Sequence, residues 1–434
     1  MFSFSSVSCQ QKRSQNQQTK LSDDSLFKLV QYKTFQYFWN GAEPTSGAAR
    51  ERYHEDNNYP DNDKNIVTTG GTGFGVMAIL VGIERGFITR KEGEERLTKL
   101  VSWLSKADRF HGAWPHWMNG ETGKVKPFGA NDNGGDLVET AFLVQGLLCV
   151  RQYFQDGNSS EKMLAQKIDS LWKGVEWDWY RRGNQNVLYW HWSPDKQWIM
   201  NHQLQGYDET LVTYFLAAAS PTHSIPAEVY HQGWARKGGI RNEEKHEQYG
   251  MHLALKHNGQ PQFGGPLFWS HYSFLGLDPR HLKDDYADYW EHNKNHVMID
   301  YRYCVQNPKG YKGYGPNCWG LTAGYSVNFY AAHSPANDLG VINPTAALAS
   351  YPYSPEESKA AMRYFYDSLG SKIFGEFGFY DGFSEQFDWY KPWYLAIDQG
   401  PIVVMMENYR SGLLWKLFMS APEVQVAKIK LGFK

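Results

Sequence analysis

The sequence of 434 residues predicts an all-α fold, a single (α/α)6 barrel (toroid) with long loops and minor short β-hairpins. Three observations lead there. Helical periodicity recurs from one end of the chain to the other, while alternating strand patterns are scarce. About a dozen helical stretches fall in pairs separated by loops loaded with Trp, Gly, Asn and Asp. No Pro- or Ser-rich linker interrupts the chain after residue 20, so 21–434 reads as one domain. Helices alternating inner and outer in this number would bring their inner ends together on one face.

In chain order, helices are expected over 23–40, 69–86, 89–107, 136–155, 160–182, 206–219, 225–236, 284–306, 343–350, 355–370, 399–409 and 410–420. The loops between them are 108–135, 183–205, 259–280, 307–320 and 375–398. Long loops carrying chemically varied side chains on a regular scaffold are where sites tend to lie. Short hairpins are expected around Val187–Trp192 and Trp198–Met200.

The charge is balanced, 44 Lys+Arg against 46 Asp+Glu, with no basic run, which argues against a nucleic-acid binder that lives on phosphate neutralisation. A hydrophobic fraction of 41% with 16% aromatics excludes wholesale disorder. The longest apolar stretch, Phe74 to Ile83, is too short to span a bilayer, so no membrane span is expected. Residues 1–20 read as a signal remnant and linker. Met1 to Ser8 is small and mildly apolar, ends in Val7-Ser8-Cys9 and precedes a Gln-rich polar run, like the tail of a lipoprotein signal whose start is missing. Cys9 is the candidate lipid anchor, and a periplasmic or outer-membrane-associated location is expected. Cys149, Cys304 and Cys318 show no C-x-x-C pairing and are expected to be buried thiols.

Three carboxylate clusters stand at helix starts. The first is Asn131-Asp132-Asn133-Gly134-Gly135-Asp136-Leu137-Val138-Glu139. Asp136 as an N-cap with Glu139 three residues on forms a capping-box pattern, which explains those two residues structurally but not Asp132. Three carboxylates at one helix N-terminus are expected to be held ionised by the dipole, and such acceptors suit sugar hydroxyls. The second is Gln205-Gly206-Tyr207-Asp208-Glu209-Thr210, where Asp208 is a plausible cap. Glu209 follows a loop holding Trp190, His191, Trp192, Trp198 and His202. Indole faces pack on pyranose rings and raise a nearby carboxyl pKa by desolvation, the property a general acid needs. The third is Asp398, after the aromatic loop from Phe387 to Trp393 and shortly before Pro401, where it too reads as a helix cap.

Other signals are weaker. Gly73-x-Gly75-x-x-Ala78 reads as close helix packing rather than dinucleotide binding. Asp61-Asn62-Asp63 begins like a calcium loop but lacks its glycine and bidentate glutamate. Asp288, His292 and His296 share a helical face that could hold zinc, though a solvated polar face is the commoner reading. No metal or other cofactor is expected, nor any Ser or Cys nucleophile motif.

Gly265-Pro266-Leu267-Phe268-Trp269-Ser270-His271-Tyr272, continuing to Arg280, with Ala219-Ser220-Pro221-Thr222-His223, Ala396-Ile397-Asp398-Gln399-Gly400-Pro401 and Glu407-Asn408-Tyr409-Arg410, resembles the bacterial glucoamylase-like proteins of glycoside hydrolase family 144. The resemblance runs from about residue 24 to residue 420. It implies an (α/α)6 barrel that hydrolyses β-1,2-glucan with inversion, with Glu209 in the position of the acid and Asp398 in that of the base. Asp132, Asp136 and Glu139 fall in the same acidic cleft. Trp190, Trp192, Trp269, His271 and Trp393 are the side chains expected to bind sugar. Asp208 departs from the family, where Asn is expected. The expected partner is a β-glucan oligosaccharide or polysaccharide, met by a monomer. Rival readings are a non-catalytic glycan-binding protein, a glycosidase of the same fold acting on another β- or α-glucan, and a polysaccharide lyase, the last disfavoured because an acidic cleft repels uronates.

Overall fold

The computed structural model describes residues 20–244 and 247–434, except the side chains of residues 61 and 62. Cys9, and with it the expected lipid anchor, lies outside the described residues. The described chain is mostly helical with a few short strands. Its helices are α1 (Asp23–Trp39), α2 (Thr69–Glu84), α3 (Arg90–Leu104), α4 (Leu137–Phe154), α5 (Ser159–Lys173), α6 (Leu211–Ala219), α7 (Tyr289–Gln306), α8 (Pro344–Leu348), α9 (Pro355–Asp367), α10 (Gly370–Ile373), α11 (Ala396–Arg410), α12 (Leu413–Met419) and α13 (Pro422–Lys430). Among the described residues no helix is long and apolar enough to cross a membrane.

Two kinds of helix follow from two kinds of sequence. Helices α2, α4, α6 and α11 are buried nearly all round, and their apolar residues recur on every face. Leu143, Val144, Leu147 and Leu148 of α4 have no exposed surface, each side chain contributing about 1.5–3 kcal/mol relative to exposure. By contrast α3, α5 and α9 bury one stripe and expose the other. Ends are set by local chemistry: Thr89 and Glu92 form a capping box on α3, and Asn158 and Glu161 form one on α5. α2 packs between α4 and α11. A Cβ added at Gly73 would lie 2.3 Å from the carbonyl oxygen of Phe142, and one at Gly146 would lie 2.2 Å from that of Gly73, so these glycines let the two backbones meet. That contact is the packing role expected of the glycine string.

Several boundaries differ from the periodicity. The stretch 160–182 is helical only to Lys173, and 225–236 forms a π-turn, Val229–Trp234, instead of an α-helix. Apolar spacing persists there because Trp177, Tyr180, Tyr230 and Trp234 are core residues of the loops. Helix α13, with Val424 and Ala427 buried, was not anticipated.

The strands are short antiparallel ties at the helix ends. Arg52–His54 pairs with Trp393–Leu395, so a segment near the start of the described chain is sealed to the entry of α11. Gly135–Asp136 pairs with His191–Trp192, and Ala323–Tyr325 with Tyr330–Ala332. Cys149, Cys304 and Cys318 are buried free thiols.

Candidate active site

Ends of α4, α6 and α11, the loop segments and the tied strands converge on a cavity of about 460 Å³. Glu51, His116, Asp136, Glu139, Asp208 and Glu209 supply its polar lining. Trp117, Phe128, Trp190, Phe268, Tyr272, Tyr325 and Tyr330 supply aromatic walls. A volume of a few hundred Å³ with convergent polar groups on apolar walls is the ordinary form of a small-molecule site.

On one wall Asp136 caps α4, its Oδ1 accepting from the backbone N–H of Val138 and of Glu139, both at 2.9 Å. Its other oxygen accepts from Trp190 Nε1 at 2.7 Å and from His116 Nδ1 at 2.9 Å. The capping box is only half present. Glu139 does not reach back to the cap; its Oε2 accepts from the Gly70 N–H at 2.6 Å and from Thr68 Oγ1 at 3.1 Å, which ties α4 to the start of α2.

The dipole does not hold Asp132 and Glu139 ionised, which corrects the expectation for those two. Burial, then the neighbouring Asp136 charge, pushes Asp132 up to about 7. Burial pushes Glu139 up to about 7 against the opposing pull of His116. A helix terminus acts through partial charges on a few N–H groups, and desolvation beside like charges outweighs it. Burial alone would lower His116, but Glu139, Asp136 and Asp132 together raise it to about 10, so it stands as an imidazolium among the acids. His116, Asp132 and Asp136 each offer a ligand atom within 4.8 Å of the others. Of the trio, His116 bonds Asp136 at 2.9 Å and stands 3.9 Å from Asp132.

Opposite, Gly206 takes φ +96° and turns the chain into Tyr207-Asp208-Glu209 ahead of α6. Asp208 does not cap that helix. It folds back onto its own turn, with Oδ1 accepting from Thr210 N at 2.9 Å and Thr210 Oγ1 at 2.6 Å. Glu209 precedes the helix, and burial followed by the Asp208 charge raises its pKa well above the ordinary carboxyl value.

Asp398 lies in the first turn of α11, whose N-cap is Leu395, and makes no capping bond. Leu395 and Ile397 line the cavity, whereas Asp398 sits behind them, 1% exposed, with both carboxylate oxygens unpartnered. Burial, then Asp381, raises its pKa well above the usual range. The expectation of an Asp held ionised by the dipole is corrected here for the same reason as above.

Trp190 is the one expected sugar-binding aromatic that lines the cavity. Trp192 leans edge-on against His111 and Trp179 and donates to Gln197. Trp269 packs on Phe268 and His257. His271 is 1% exposed and bonded to Ser350 Oγ at 3.0 Å. Trp393 stacks on His54 and donates to Asp56. These four therefore stand outside the lining, held by partners of their own. Asp132 is also set back, 3% exposed, beside His191 and His116. Asp288 caps α7, and His292 and His296 are buried against His257 and Ser270, so the three form neither a zinc face nor a solvated one. Asp63, from the calcium-like string, pairs with Lys126.

Sequence reasoning missed His116, Glu51, Tyr325, Tyr330 and Asp381. His116 and its neighbour Trp117 stood inside a loop already marked as rich in aromatics. For the others the signal is the strand pairing, which no local pattern carries.

Comparison with known proteins identifies the family. Residues 201–422 match a family model described as "Putative glucoamylase". An endo-β-1,2-glucanase from Chitinophaga pinensis, solved with sophorotriose and glucose, is 67% identical over 96% of this chain and 99% of its own, with a TM-score of 0.94. An exo β-1,2-glucooligosaccharide sophorohydrolase (non-reducing end) of Parabacteroides distasonis is 47% identical over 424 residues, 93% of this chain; the chain spans 57% of that relative's length. An endo-β-1,2-glucanase from Talaromyces funiculosus, solved with sophorose, shares the fold at 10% identity, with a TM-score of 0.64. The chain belongs to the glucoamylase-like family, and these relatives are consistent with glycoside hydrolase family 144.

Proposed function

We propose that this protein is an inverting glycoside hydrolase that cleaves β-1,2-glucan within an (α/α)6 toroid. The barrel reading is supported by the two kinds of helix in the chain. Helices buried nearly all round (α2, α4, α6 and α11) are interspersed along the chain with helices that bury one stripe (α3, α5 and α9), as inner and outer helices of a barrel would be. The domain reading, 21–434 as one hydrolase domain, goes with it, as does export behind residues 1–20; both rest on the sequence.

The observation that carries the reading is Glu209, a carboxyl raised by burial and by Asp208, facing an aromatic cavity whose other wall holds Asp136 and Glu139. Such a carboxyl keeps its proton near neutral pH and can donate it to the leaving oxygen. Asp398, behind Leu395 and Ile397, accepts a proton from the attacking water on the opposite side of the ring. Inversion places a water between base and sugar and calls for two carboxyls about 6.5–9.5 Å apart, or farther where a substrate hydroxyl relays the proton. His116 and Trp190 hold Asp136 as an acceptor for sugar hydroxyls, while Trp117, Phe128 and Trp190 offer faces for the rings. Linkage comes from the relatives, and internal cleavage is the favoured mode because a relative matched over 99% of its own length is an endo-enzyme.

Incubation with linear β-1,2-glucan and thin-layer chromatography of the products tests this. A ladder of sophoro-oligosaccharides is expected. Absence of products with β-1,2-glucan, alongside turnover of another glucan, would reassign the substrate; binding without turnover would favour the glycan-binding reading.

A further inference from the structure

Asp381 was not among the expected site residues, yet it is the side chain against which Asp398 packs. It is 2% exposed and tightly placed: its N–H donates to Trp393 O at 2.9 Å, its carbonyl accepts from Asn343 Nδ2 at 3.0 Å, and its Oδ2 accepts from the Tyr325 N–H at 2.5 Å. Its side chain lies within hydrogen-bond reach of that of Asp398. Asp381 Oδ1 and both oxygens of Asp398 find no donor among the described residues. Two carboxylates cannot bond to each other; two carboxyls with one proton between them can. The acidic and phenolic groups facing the pair are Glu51, Tyr325, Tyr272 and Tyr330, and Arg52 stands 4.0 Å from Glu51. No cation is thus paired directly with either carboxyl, and a shared proton is what lets both remain buried.

We propose that Asp381 and Asp398 work as one proton-sharing dyad, with Asp398 facing the attacking water and Asp381 as its positioning residue. This rests on the reading of Asp398 as the base. In the resting dyad one proton bridges the pair and the net charge is −1. Water gives a proton to the free oxygen of Asp398 while the bridging proton moves onto Asp381, and the dyad becomes neutral. The water oxygen forms the bond to the anomeric carbon. The glycosidic C–O bond breaks, and its electron pair goes to the leaving oxygen, which takes the proton of Glu209. The dyad gains the charge that Glu209 loses, and solvent exchange restores both. The arrangement answers a difficulty in the single-residue account. Burial and Asp381 both keep a proton on Asp398, whereas Asp381, at about 6 because the bond from Asp398 offsets its burial, retains capacity to accept one.

The test is the pH dependence of kcat and KM for Asp381→Asn, Asp381→Ala and Asp398→Asn on β-1,2-glucan, with thermal midpoints to confirm folding. An amide keeps the shape and a donor but cannot accept the proton. Asp381→Asn is expected to lower kcat by about 10–100-fold with KM within about twofold. The acid limb should move upward by up to about one unit, and further in Asp381→Ala, because the base is then Asp398 alone, raised by burial, instead of the pair whose first ionisation falls on Asp381. A folded Asp381→Asn protein whose acid limb stays at the wild-type pH, whatever its kcat, overturns the dyad and leaves Asp381 a structural residue. Turnover retained in Asp398→Asn instead overturns the base assignment itself, a result distinct from an inactive Asp398→Asn with unmoved limbs in the Asp381 variants. Should Asp381→Ala fail to fold, the near-isosteric Asn variant decides alone.

Discussion

His116 Nδ1 stands 2.9 Å from Asp136 Oδ2, the oxygen that also receives the Trp190 indole N–H at 2.7 Å. One carboxylate therefore caps α4 with one oxygen and orders the cavity wall with the other. A cap alone needs neither the imidazolium nor the indole. Their convergence sets Asp136 apart from an ordinary N-cap and makes the cluster sensitive to protonation.

The sign of that sensitivity follows from His116, raised from 6.5 to about 10 by Glu139, Asp136 and Asp132 against the effect of burial. A raised folded pKa stabilises the protein fully below the unfolded value and ceases to do so as pH climbs through the folded one. The gap in thermal midpoint between wild type and His116→Gln should be widest below about pH 6.5 and close toward pH 10. A gap that widens with pH would remove the imidazolium from the account.

Asp132 has the same sign in a lower pH window, since its folded pKa is likewise raised. Its folded pKa of about 7 lies above its ordinary 3.8, so its ionisation costs stability above about pH 7 and nothing below about pH 4. Asp132→Asn should raise stability by about 1–3 kcal/mol at pH 8, leave it unchanged at pH 4 and still lower kcat/KM on β-1,2-glucan. Paired melts and kinetics on the same variant check both halves, and unchanged kinetics would take Asp132 out of the site.

Glu209→Gln should reduce kcat by about 10²–10⁴-fold while KM stays near wild type, since the amide preserves shape and removes only the proton. Loss of binding along with turnover, read by calorimetry with a sophoro-oligosaccharide, would recast Glu209 as a residue that holds sugar.

The aromatic residues separate by position. Trp190 faces the cavity and holds Asp136, so Trp190→Phe should raise KM about tenfold or lower kcat. Trp393 is occupied by His54 and Asp56, so Trp393→Phe should cost about 0.5–1.5 kcal/mol of stability and leave KM within about twofold. Equal effects of the two on KM would contradict the division.

The helices of this chain were readable where burial is uniform or one-sided, as in α4 and α5, and the cap of α4 was readable from Asp136. Legibility failed where apolar residues are core without being helical, as at Tyr230 and Trp234, because periodicity cannot tell a buried loop from a buried helix. In the site, Asp136, Glu139 and Glu209 were visible as carboxylates at helix starts, whereas Glu51 and Asp381 arrive by non-local contacts, through Arg52 pairing with Leu395 and Asp381 bonding to Trp393. Ionisation was misread for Asp132, Glu139 and Asp398 because desolvation depends on what packs above the helix end, which local sequence does not state.

Linkage, turnover and the roles proposed for Glu209 and Asp398 meet in the anomer released first. Fresh linear β-1,2-glucan digested in a proton NMR tube, and read before mutarotation equilibrates the products, should yield the α-anomer at the new reducing end, with its formation lost in Asp398→Asn. Initial appearance of the β-anomer would mean retention through a covalent nucleophile and would contradict the roles given to both carboxyls.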